Sequence, residues 1–304
     1  MSFTTAQLAN ATRGELVGDP TVWCNGAEID TRRCVKGKVF FALEGTKVDG
    51  HMFLQDAIAG GCSAVVASHH ESLSAPIIVV KNTRDALFQL AIARRNDIKL
   101  AHVIAITGSA GKTTTKDVLA AILGERTTSS AQSFNNDLGV PLTILDAEDS
   151  DFLVVEVGAN AVGEIEPLAR LVQPDIAILT SIDKAHLEGF GDRDTVLREK
   201  TKLFDALPDD GIAIVPDTVD LSSISISASV CRVGTSQDAD VRISIDVHKD
   251  GCAILEMEGH RVTLALLGAH NGMNVALAVV AAVHANIRIG RSTSTKDLDR
   301  KSVV

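Results

Sequence analysis

A glycine-rich segment at residues 107–115 carries the clearest chemical signal in the chain, reading Thr-Gly-Ser-Ala-Gly-Lys-Thr-Thr-Thr. The apolar run 103–106 precedes it, so the sequence predicts a buried strand, a tight turn and then a helix. Such a turn points backbone N–H groups and a helix N-terminus at one spot, which suits a phosphate. Lys112 can then reach the terminal phosphates of a nucleotide, and a hydroxyl of Thr113 or Thr114 can ligate Mg²⁺.

The turn is shorter than the full P-loop pattern, because its first glycine is Gly108, three residues before Gly111. The alternative is an ordinary strand–turn–helix joint with a surface lysine. The strand before, the helix after and the Gly-Lys-Thr between them favour nucleotide binding. The residues expected around the phosphates are Thr107, Gly108, Ser109, Ala110, Gly111, Lys112, Thr113 and Thr114.

Glu156 is the second candidate, since it ends an apolar run and is followed by Val157 and Gly158. A carboxylate at the tip of a strand beside a phosphate-binding turn is placed to hold Mg²⁺ directly or through water. The alternative is a strand-end glutamate that faces solvent. The apolar residues before Glu156 and the glycine after it favour a metal site.

Three other polar segments are ambiguous on residue types alone. The loop 133–141 carries asparagines that could fix a substrate or a phosphate, but Asn, Asp, Gly and Pro also simply form turns. His186 follows the apolar strand 176–180 and could be a metal ligand, an acid–base group or an ordinary loop residue. Composition alone makes Lys200 a solvated lysine on a helix.

Two segments near the N-terminus, 30–33 and 44–51, flank the strand predicted at 38–43. They place cations, hydroxyls and glycine N–H groups around one strand, which suits a second phosphate-bearing ligand. Two ordinary loops would have the same composition.

Charge and composition exclude several classes of protein. The 304 residues are 45% hydrophobic and 22% charged, a globular balance, and the formal net charge of −10 argues against a general nucleic-acid surface. Five cysteines without CxxC spacing fit a reducing compartment rather than a disulfide framework or a zinc site. We expect no signal peptide, no membrane insertion, a cytoplasmic location and a monomer.

Periodicity predicts an α/β fold with two domains. Residues 1–98 should form a small α/β domain, with strands at 38–43, 64–67 and 76–80 and a helix at 83–93 that Thr83 caps. The polar stretch 94–97 should be a linker. Residues 99–304 should form a second domain with a mainly parallel sheet, ligands at the carboxyl ends of its strands and a small antiparallel addition after residue 241. The strands and helices expected in the second domain are strands at 103–107, 152–157, 176–180 and 211–215 and helices at 113–123, 194–206 and 270–284.

Taken together, the motifs resemble the Mur ligase family. TGSAGKTTT, SFNNDLGVPLTIL, VVEVGAN-x-x-GEI, AHLEGFG and GAHN-x-x-N-x-ALA occur in the order and spacing of that family, and the likeness covers residues 15–287. DTRR, KVFFALEG and DGHMF place it nearest the members that join D-Ala-D-Ala to UDP-N-acetylmuramoyl-tripeptide in peptidoglycan precursor synthesis. In that reaction ATP phosphorylates a carboxylate, and an amine then attacks the acyl phosphate.

The resemblance implies roles for individual residues. Residues 108–113 would bind the ATP phosphates, and one Mg²⁺ would lie on Glu156 with Thr113 or Thr114. His186 matches a second-metal histidine, and Lys200 falls where the family has a carbamylated lysine, so Lys112, His186 and Lys200 would be the catalytic residues. Asn271 and Asn274 match the segment that contacts adenine, and Asn136 matches the asparagine loop on the substrate side. The region that holds the uridine diphosphate part contains Thr31, Arg32, Thr46 and His51.

The family also has a third, C-terminal domain, which we expect to be absent from these 304 residues. The residues around Lys200 differ from the family's usual Lys-Gly-Glu, reading Lys-Thr-Lys. Two other functions remain open: another ligase of the superfamily, such as the diaminopimelate- or lysine-adding type or a folylpolyglutamate synthase-like enzyme, and a non-catalytic nucleotide-binding module. A nucleotide-driven motor is disfavoured, because the sequence offers no candidate arginine finger.

Overall fold

The computed structural model describes residues 2–147, 150–183 and 190–286. The chain divides into two compact units, Met1–Lys99 with Asp137–Asp149 and Leu100–Asn136 with Ser150–Val304. The first unit therefore takes in a short segment that lies, in sequence, between parts of the second. Each unit has its own hydrophobic core.

The helices are α1 (Thr5–Thr12), α2 (Leu54–Ala59), α3 (Thr83–Asp97), α4 (Lys112–Leu123), α5 (Gly139–Leu145), α6 (Ile165–Val172), α7 (Arg193–Thr201) and α8 (Ala269–His284). The strands of the first unit are β1 (Phe3–Thr4), β2 (Glu15–Val17), β3 (Trp23–Cys24), β4 (Ala27–Glu28), β5 (Val39–Phe41), β6 (Ala64–Ala67) and β7 (Ile77–Val79). Those of the second are β8 (His102–Thr107), β9 (Thr127–Ser129), β10 (Phe152–Glu156), β11 (Ile176–Leu179), β12 (Ile212–Pro216), β13 (Ser229–Gly234), β14 (Val241–Val247), β15 (Cys252–Met257) and β16 (His260–Leu267). Within the described ranges, no helix combines the length and the apolar composition needed to cross a bilayer.

The first unit is built on a sheet with the strand order β2-β7-β6-β5-β4. Strands β4 to β7 run parallel and β2 pairs antiparallel with β7. Every residue of β5 and β6 is buried, as expected for strands covered on both faces. The three strands predicted from the sequence are confirmed, although β5 and β7 are shorter than their apolar runs.

The second unit is built on a longer sheet with the order β16-β15-β14-β13-β12-β11-β8-β10-β9. Seven neighbouring strands pair in parallel, in the order β9, β10, β8, β11, β12, β13 and β14. Strands β15 and β16 extend the sheet beyond β14 with antiparallel pairing. The mainly parallel sheet is confirmed, and the predicted antiparallel addition is part of the same sheet. Helices α4 and α8 contribute Leu119 and Leu277 to the core over this sheet. Because β8 pairs in parallel with both β10 and β11, the carboxyl ends of these three strands lie at one edge of the sheet.

Helix α3 starts at Thr83 as predicted, but its N-cap residue and its end differ from the prediction. Asn82, rather than Thr83, is the N-cap, because its side-chain oxygen accepts the N–H groups of Arg84 at 2.9 Å and Asp85 at 3.1 Å. The stretch expected as a linker is the last turn of the helix. Arg94 is 6% exposed and places its guanidinium 5.8 Å from the ring centre of Phe3. Polarity was misleading here because this arginine packs inward through its long aliphatic stem.

Candidate functional site

The glycine-rich turn joins the end of β8 to the start of α4, as the sequence predicts. Thr107 ends the strand and is fully buried, and Lys112 begins the helix. Gly111 has φ of 84°, and a Cβ there would lie 2.3 Å from Asn274 Oδ1. A Cβ on Gly108 would lie 1.9 Å from Thr180 Oγ1. Any side chain at either position would therefore clash with its neighbours. At Gly111 the left-handed backbone conformation also favours glycine.

Hydrogen bonds connect the turn to residues 181–183, which follow β11. Ser109 donates its backbone N–H to Ser181 O at 2.9 Å, and Ala110 donates its N–H to Ser181 Oγ at 3.0 Å. Asp183 in turn donates its N–H to Ser109 Oγ at 3.0 Å. Sequence reasoning missed this support, although a Thr-Ser pair directly after an apolar strand is a usable signal.

Lys112 folds back over the turn. Its ammonium donates to Gly108 O at 2.8 Å, and the residue is half-buried. Burial lowers the pKa of Lys112, and the nearby Glu156 carboxylate opposes that shift. The lysine therefore lies at the turn as a partly desolvated cation, where its attraction for a phosphate is stronger than in water.

Glu156 is held between two elements at the same sheet edge. It is 1% exposed; its Oε2 accepts the Thr113 hydroxyl at 2.9 Å, and its Oε1 accepts the Asn135 amide at 2.8 Å. Its backbone N–H donates to Ser130 Oγ at 3.0 Å. The structure thus brings together Thr113 and Glu156, which the sequence analysis paired, and adds Asn135, which it did not single out. Thr114 is half-buried in the same helical turn.

The Thr113–Glu156 pair fits a Mg²⁺ ion. The donors are hard oxygens, and Mg²⁺ is usually bound by one or two protein groups together with substrate phosphates and water. A dense protein cage is therefore not required, and in the described part of the chain no group of three or more His, Cys, Asp or Glu side chains forms one. The hydroxyl–carboxylate hydrogen bond marks the place where both oxygens converge.

The two asparagines expected near an adenine lie on the first turns of α8. Asn274 is 6% exposed and donates through Nδ2 to Asn271 Oδ1 at 3.1 Å. Asn271 donates through its own amide to Leu267 O at 2.8 Å. Because Asn274 also lies against Gly111, the structure brings this pair to the glycine-rich turn.

Lys200 is not the solvated lysine that composition suggested. It is 3% exposed on α7. Burial, and next the Lys112 ammonium, lower the pKa of Lys200 from 10.5 to about 8, against an opposing effect of the Glu199 carboxylate. The composition-based expectation failed because a polar helix can still turn one lysine inward. A desolvated amine beside a second lysine is instead a candidate functional group.

The neighbouring Glu199 fixes α7 to the start of α6. It is 5% exposed, and its two oxygens accept the N–H groups of Gly163 at 2.9 Å and Ile165 at 2.8 Å. It caps a helix that has no side-chain cap of its own. Sequence spacing gives no sign of this contact, because the partners are 34 and 36 residues apart.

Replacing Glu199 with alanine is expected to destabilise the chain by about 2–3 kcal/mol, because one buried and one partly buried amide group lose their acceptor. The free energy of unfolding in urea measures this. The matched control is Glu166→Ala, on the exposed face of α6, where the pair with Arg170 should contribute less than about 1 kcal/mol. Equal effects of the two substitutions would contradict the capping role.

Two expected site residues are less informative. His186 lies outside the described residues. Asn136 is exposed in the loop that leads to α5, directly after Asn135.

In the first unit, the expected substrate residues follow the carboxyl ends of adjacent strands. Thr31 and Arg32 lie after β4, in a turn that the Asp30 side chain caps by accepting the Arg32 N–H at 3.0 Å. The Arg32 guanidinium holds the pKa of Asp30 down at about 2. Thr46 is exposed in the loop after β5, and His51 is buried where that loop ends.

His51 ties the loop after β5 to the end of β6. Its Nδ1 lies 2.6 Å from Asp49 Oδ1, and its Nε2 accepts the Ser68 N–H at 2.9 Å. The acceptor role makes this a neutral imidazole with its proton on Nδ1. Next to it is a cavity of about 200 Å³ lined by Leu43, Glu44, Ser68, Lys81, Asn82, Thr83 and Arg84.

A glycine-rich strand–turn–helix with a buried carboxylate beside it, at the carboxyl edge of a parallel sheet, is typical of nucleotide-binding α/β proteins. Sequence profiles narrow this class: the Mur ligase middle domain matches residues 106–282, and the Mur ligase family catalytic domain matches residues 24–113. The chain belongs to the Mur ligase family.

Individual relatives point to one branch of that family. The chain is 36% identical over 298 residues to the UDP-N-acetylmuramoyl-tripeptide–D-alanyl-D-alanine ligase of Haemophilus influenzae, covering 93% of this chain and 65% of the relative. A crystal structure of MurF from Acinetobacter baumannii superposes with a TM-score of 0.86 at 31% identity, covering 100% of this chain and 69% of the other. MurF from Thermotoga maritima in complex with ADP gives a TM-score of 0.74 at 26% identity, covering 92% and 66%. The chain thus spans about 65% of the length of its curated relative.

Proposed function

We propose that this chain is the nucleotide- and UDP-substrate-binding part of a ligase that adds D-Ala-D-Ala to UDP-N-acetylmuramoyl-tripeptide. The observation that carries the proposal is the buried Glu156 carboxylate, held by Thr113 and Asn135 beside the Gly-Lys-Thr turn. The 36% identity to a relative of that name supports the choice of substrates. UDP-linked substrate and ATP also support a cytoplasmic, peptidoglycan-precursor role.

The proposed reaction has two steps. A carboxylate oxygen of the tripeptide attacks the γ-phosphorus of ATP, and ADP leaves. The amine of D-Ala-D-Ala then attacks the carbonyl carbon of the acyl phosphate, inorganic phosphate leaves, and the amine loses a proton. The first step is needed because a carboxylate is a poor electrophile until its oxygen becomes part of a good leaving group.

The chain's own residues would act mainly by placing charge. Lys112 and the backbone of residues 108–113 would neutralise the transferring phosphoryl group, which is where electrostatic stabilisation contributes most. Thr113 or Thr114 and Glu156 would hold Mg²⁺, which supplies further neutralisation of phosphate charge when bound. Asn271 and Asn274 would face the adenine, and Asn136 the peptide substrate.

Lys200 is proposed to act as a carbamate. Its neutral amine would add CO₂ and release a proton, which converts a cation into an anionic oxygen ligand suited to a hard metal ion. The low pKa of Lys200 supports this, because the neutral amine is the reactive form. His186 is proposed as a ligand of the same second metal.

A reconstituted reaction tests the function. Amide product should appear, by mass spectrometry, when the chain is combined with the family's third domain and given ATP, Mg²⁺, UDP-N-acetylmuramoyl-tripeptide and D-Ala-D-Ala. Product with UDP-linked dipeptide and diaminopimelate or lysine instead would favour the diaminopimelate- or lysine-adding type. ATP binding with no phosphate release in the presence of both substrates would favour the non-catalytic module.

The first unit is proposed to bind the uridine diphosphate part through Thr31, Arg32, Thr46 and His51. Arg32 is exposed, and its guanidinium pairs with Asp30 Oδ2 at 2.5 Å at the protein surface, so it can turn toward a diphosphate. We expect Arg32→Ala to weaken binding of a UDP-sugar peptide to the 304-residue chain roughly 10-fold, measured by calorimetry without ATP. Arg261→Ala, on a similarly exposed arginine of the second unit, is the control. Equal affinity of Arg32→Ala and the unaltered chain would count against this assignment.

A further inference from the structure

Lys116 is a buried cation that the proposed reaction does not use. It lies one turn beyond Lys112 on α4, and its side chain is 3% exposed. Its ammonium donates to Ser130 O at 2.7 Å and to Gln132 O at 3.1 Å, and it pairs with Asp117 Oδ1 at 3.0 Å. All three ammonium protons therefore have acceptors, which a buried lysine requires.

The two carbonyl acceptors belong to the loop between β9 and α5. Gln132 has φ of 46°, a left-handed conformation that is uncommon outside glycine and costs free energy unless the surroundings hold it. The Lys116 ammonium holds the carbonyls at that residue and two positions before it. Lys116 thus holds the loop at Gln132, where the backbone conformation is unfavourable by itself.

The same loop contacts the site through residues on both sides of Gln132. Ser130 Oγ accepts the Glu156 N–H at 3.0 Å, and Gly158 donates its N–H to Asn135 O at 2.7 Å. Asn135 then donates its amide to Glu156 Oε1 at 2.8 Å. A Cβ on Gly158 would lie 2.8 Å from the Asn135 side chain, so the loop and the end of β10 are in close contact.

We infer that Lys116 is a positioning residue for Glu156. By holding the loop, it sets the Asn135 amide that fixes one carboxylate oxygen, while Thr113 on the same helix fixes the other. Helix α4 thus places the phosphate-binding lysine directly and the metal-binding carboxylate through the loop. This inference rests on the proposed function, in which Glu156 ligates Mg²⁺.

The test uses the 304-residue chain and two readouts. The first is hydrogen exchange of the Glu156 and Gly158 amides in the free protein, which needs no nucleotide. The second is the Mg²⁺ concentration that gives half-maximal ATP binding. Lys116→Met keeps the aliphatic stem and removes the ammonium; Lys116→Gln keeps one possible donor, in case the first variant does not fold.

We expect loss of the ammonium to speed exchange of both amides at least 10-fold and to raise the Mg²⁺ requirement about 10-fold, the lower end for groups that orient metal ligands. Asn135→Ala should raise the Mg²⁺ requirement similarly but leave the Gly158 amide protected, because Asn135 O remains. The control Asp117→Asn, at an exposed carboxylate that pairs with the ammonium but does not contact the loop carbonyls, should change neither readout.

A folded Lys116 variant with an unchanged Mg²⁺ requirement would overturn the inference and leave a purely structural lysine. If neither Lys116 variant folds, an unchanged requirement in Asn135→Ala overturns it instead. Failure of the unaltered chain to bind ATP with Mg²⁺ would count against the proposed function, and unchanged amide exchange in the Lys116 variants would separately reject the hold on the loop.

Discussion

Lys112→Ala is expected to lower ATP-dependent turnover roughly 100-fold or more, the loss typical when a group that stabilises transition-state charge is removed. The lysine lies at the glycine-rich turn, where its ammonium contacts only a neutral carbonyl, Gly108 O, at 2.8 Å within the described chain. Its contribution to folding should therefore be small. Phosphate release with both substrates, in a chain that carries the family's third domain, measures turnover. Calorimetry measures the ATP affinity of the 304-residue chain even without turnover.

The control for Lys112→Ala is Lys249→Ala, at an exposed lysine in the turn between β14 and β15. It should match the unaltered chain in turnover, ATP affinity and unfolding midpoint. Near-normal turnover of Lys112→Ala would show that the lysine does not act on the phosphates of ATP. A large drop in its unfolding midpoint would show that lost structure, rather than lost charge, explains the effect.

The strand–turn–helix proposed to bind phosphate could be predicted from the sequence because its determinants are local. A strand, a turn with two glycines and a helix start lie within 103–123, and each element is coded by adjacent residues. Glu156 was found for the same reason, as a carboxylate directly after an apolar run. Parallel pairing of β8 with β10 then brings the two segments to one edge, as the α/β pattern requires.

What could not be predicted depends on contacts between segments distant in sequence. Asn135, Lys116 and Glu199 read as ordinary polar residues, and each owes its role to a partner 14 to 36 residues away. Arg94 was assigned to a linker because its charge suggested solvent, whereas the side chain is buried and its guanidinium lies over the Phe3 ring. The polarity of a residue type indicates that it prefers water, but whether a given polar group is buried depends on the partners available to it in the fold.

Lys200 shows this limit most clearly, because composition and family resemblance gave opposite expectations. Its burial agrees with the resemblance, and its pKa of about 8 leaves a far larger fraction of the amine neutral near physiological pH than the ordinary value of 10.5 would. At a fixed concentration of dissolved CO₂, carbamate should increase as the pH rises through this value, since only the neutral amine reacts. Carbon-13 NMR of the chain in labelled bicarbonate would detect the adduct without any turnover.

In a chain that carries the family's third domain, Lys200→Ala should then be nearly inactive, because the anionic oxygens that the carbamate would offer to a metal are removed. Alanine leaves space in a buried position, so formate or acetate could enter and partly restore the lost negative charge. The matched control is Lys202→Ala, two residues on, where the ammonium is half-exposed and pairs with Asp205 Oδ2 at 3.0 Å. That variant should keep full activity and gain nothing from added acid. Full activity of Lys200→Ala without acid would reject the carbamate, whereas inactivity without rescue in a stably folded variant would show that the amine itself is required.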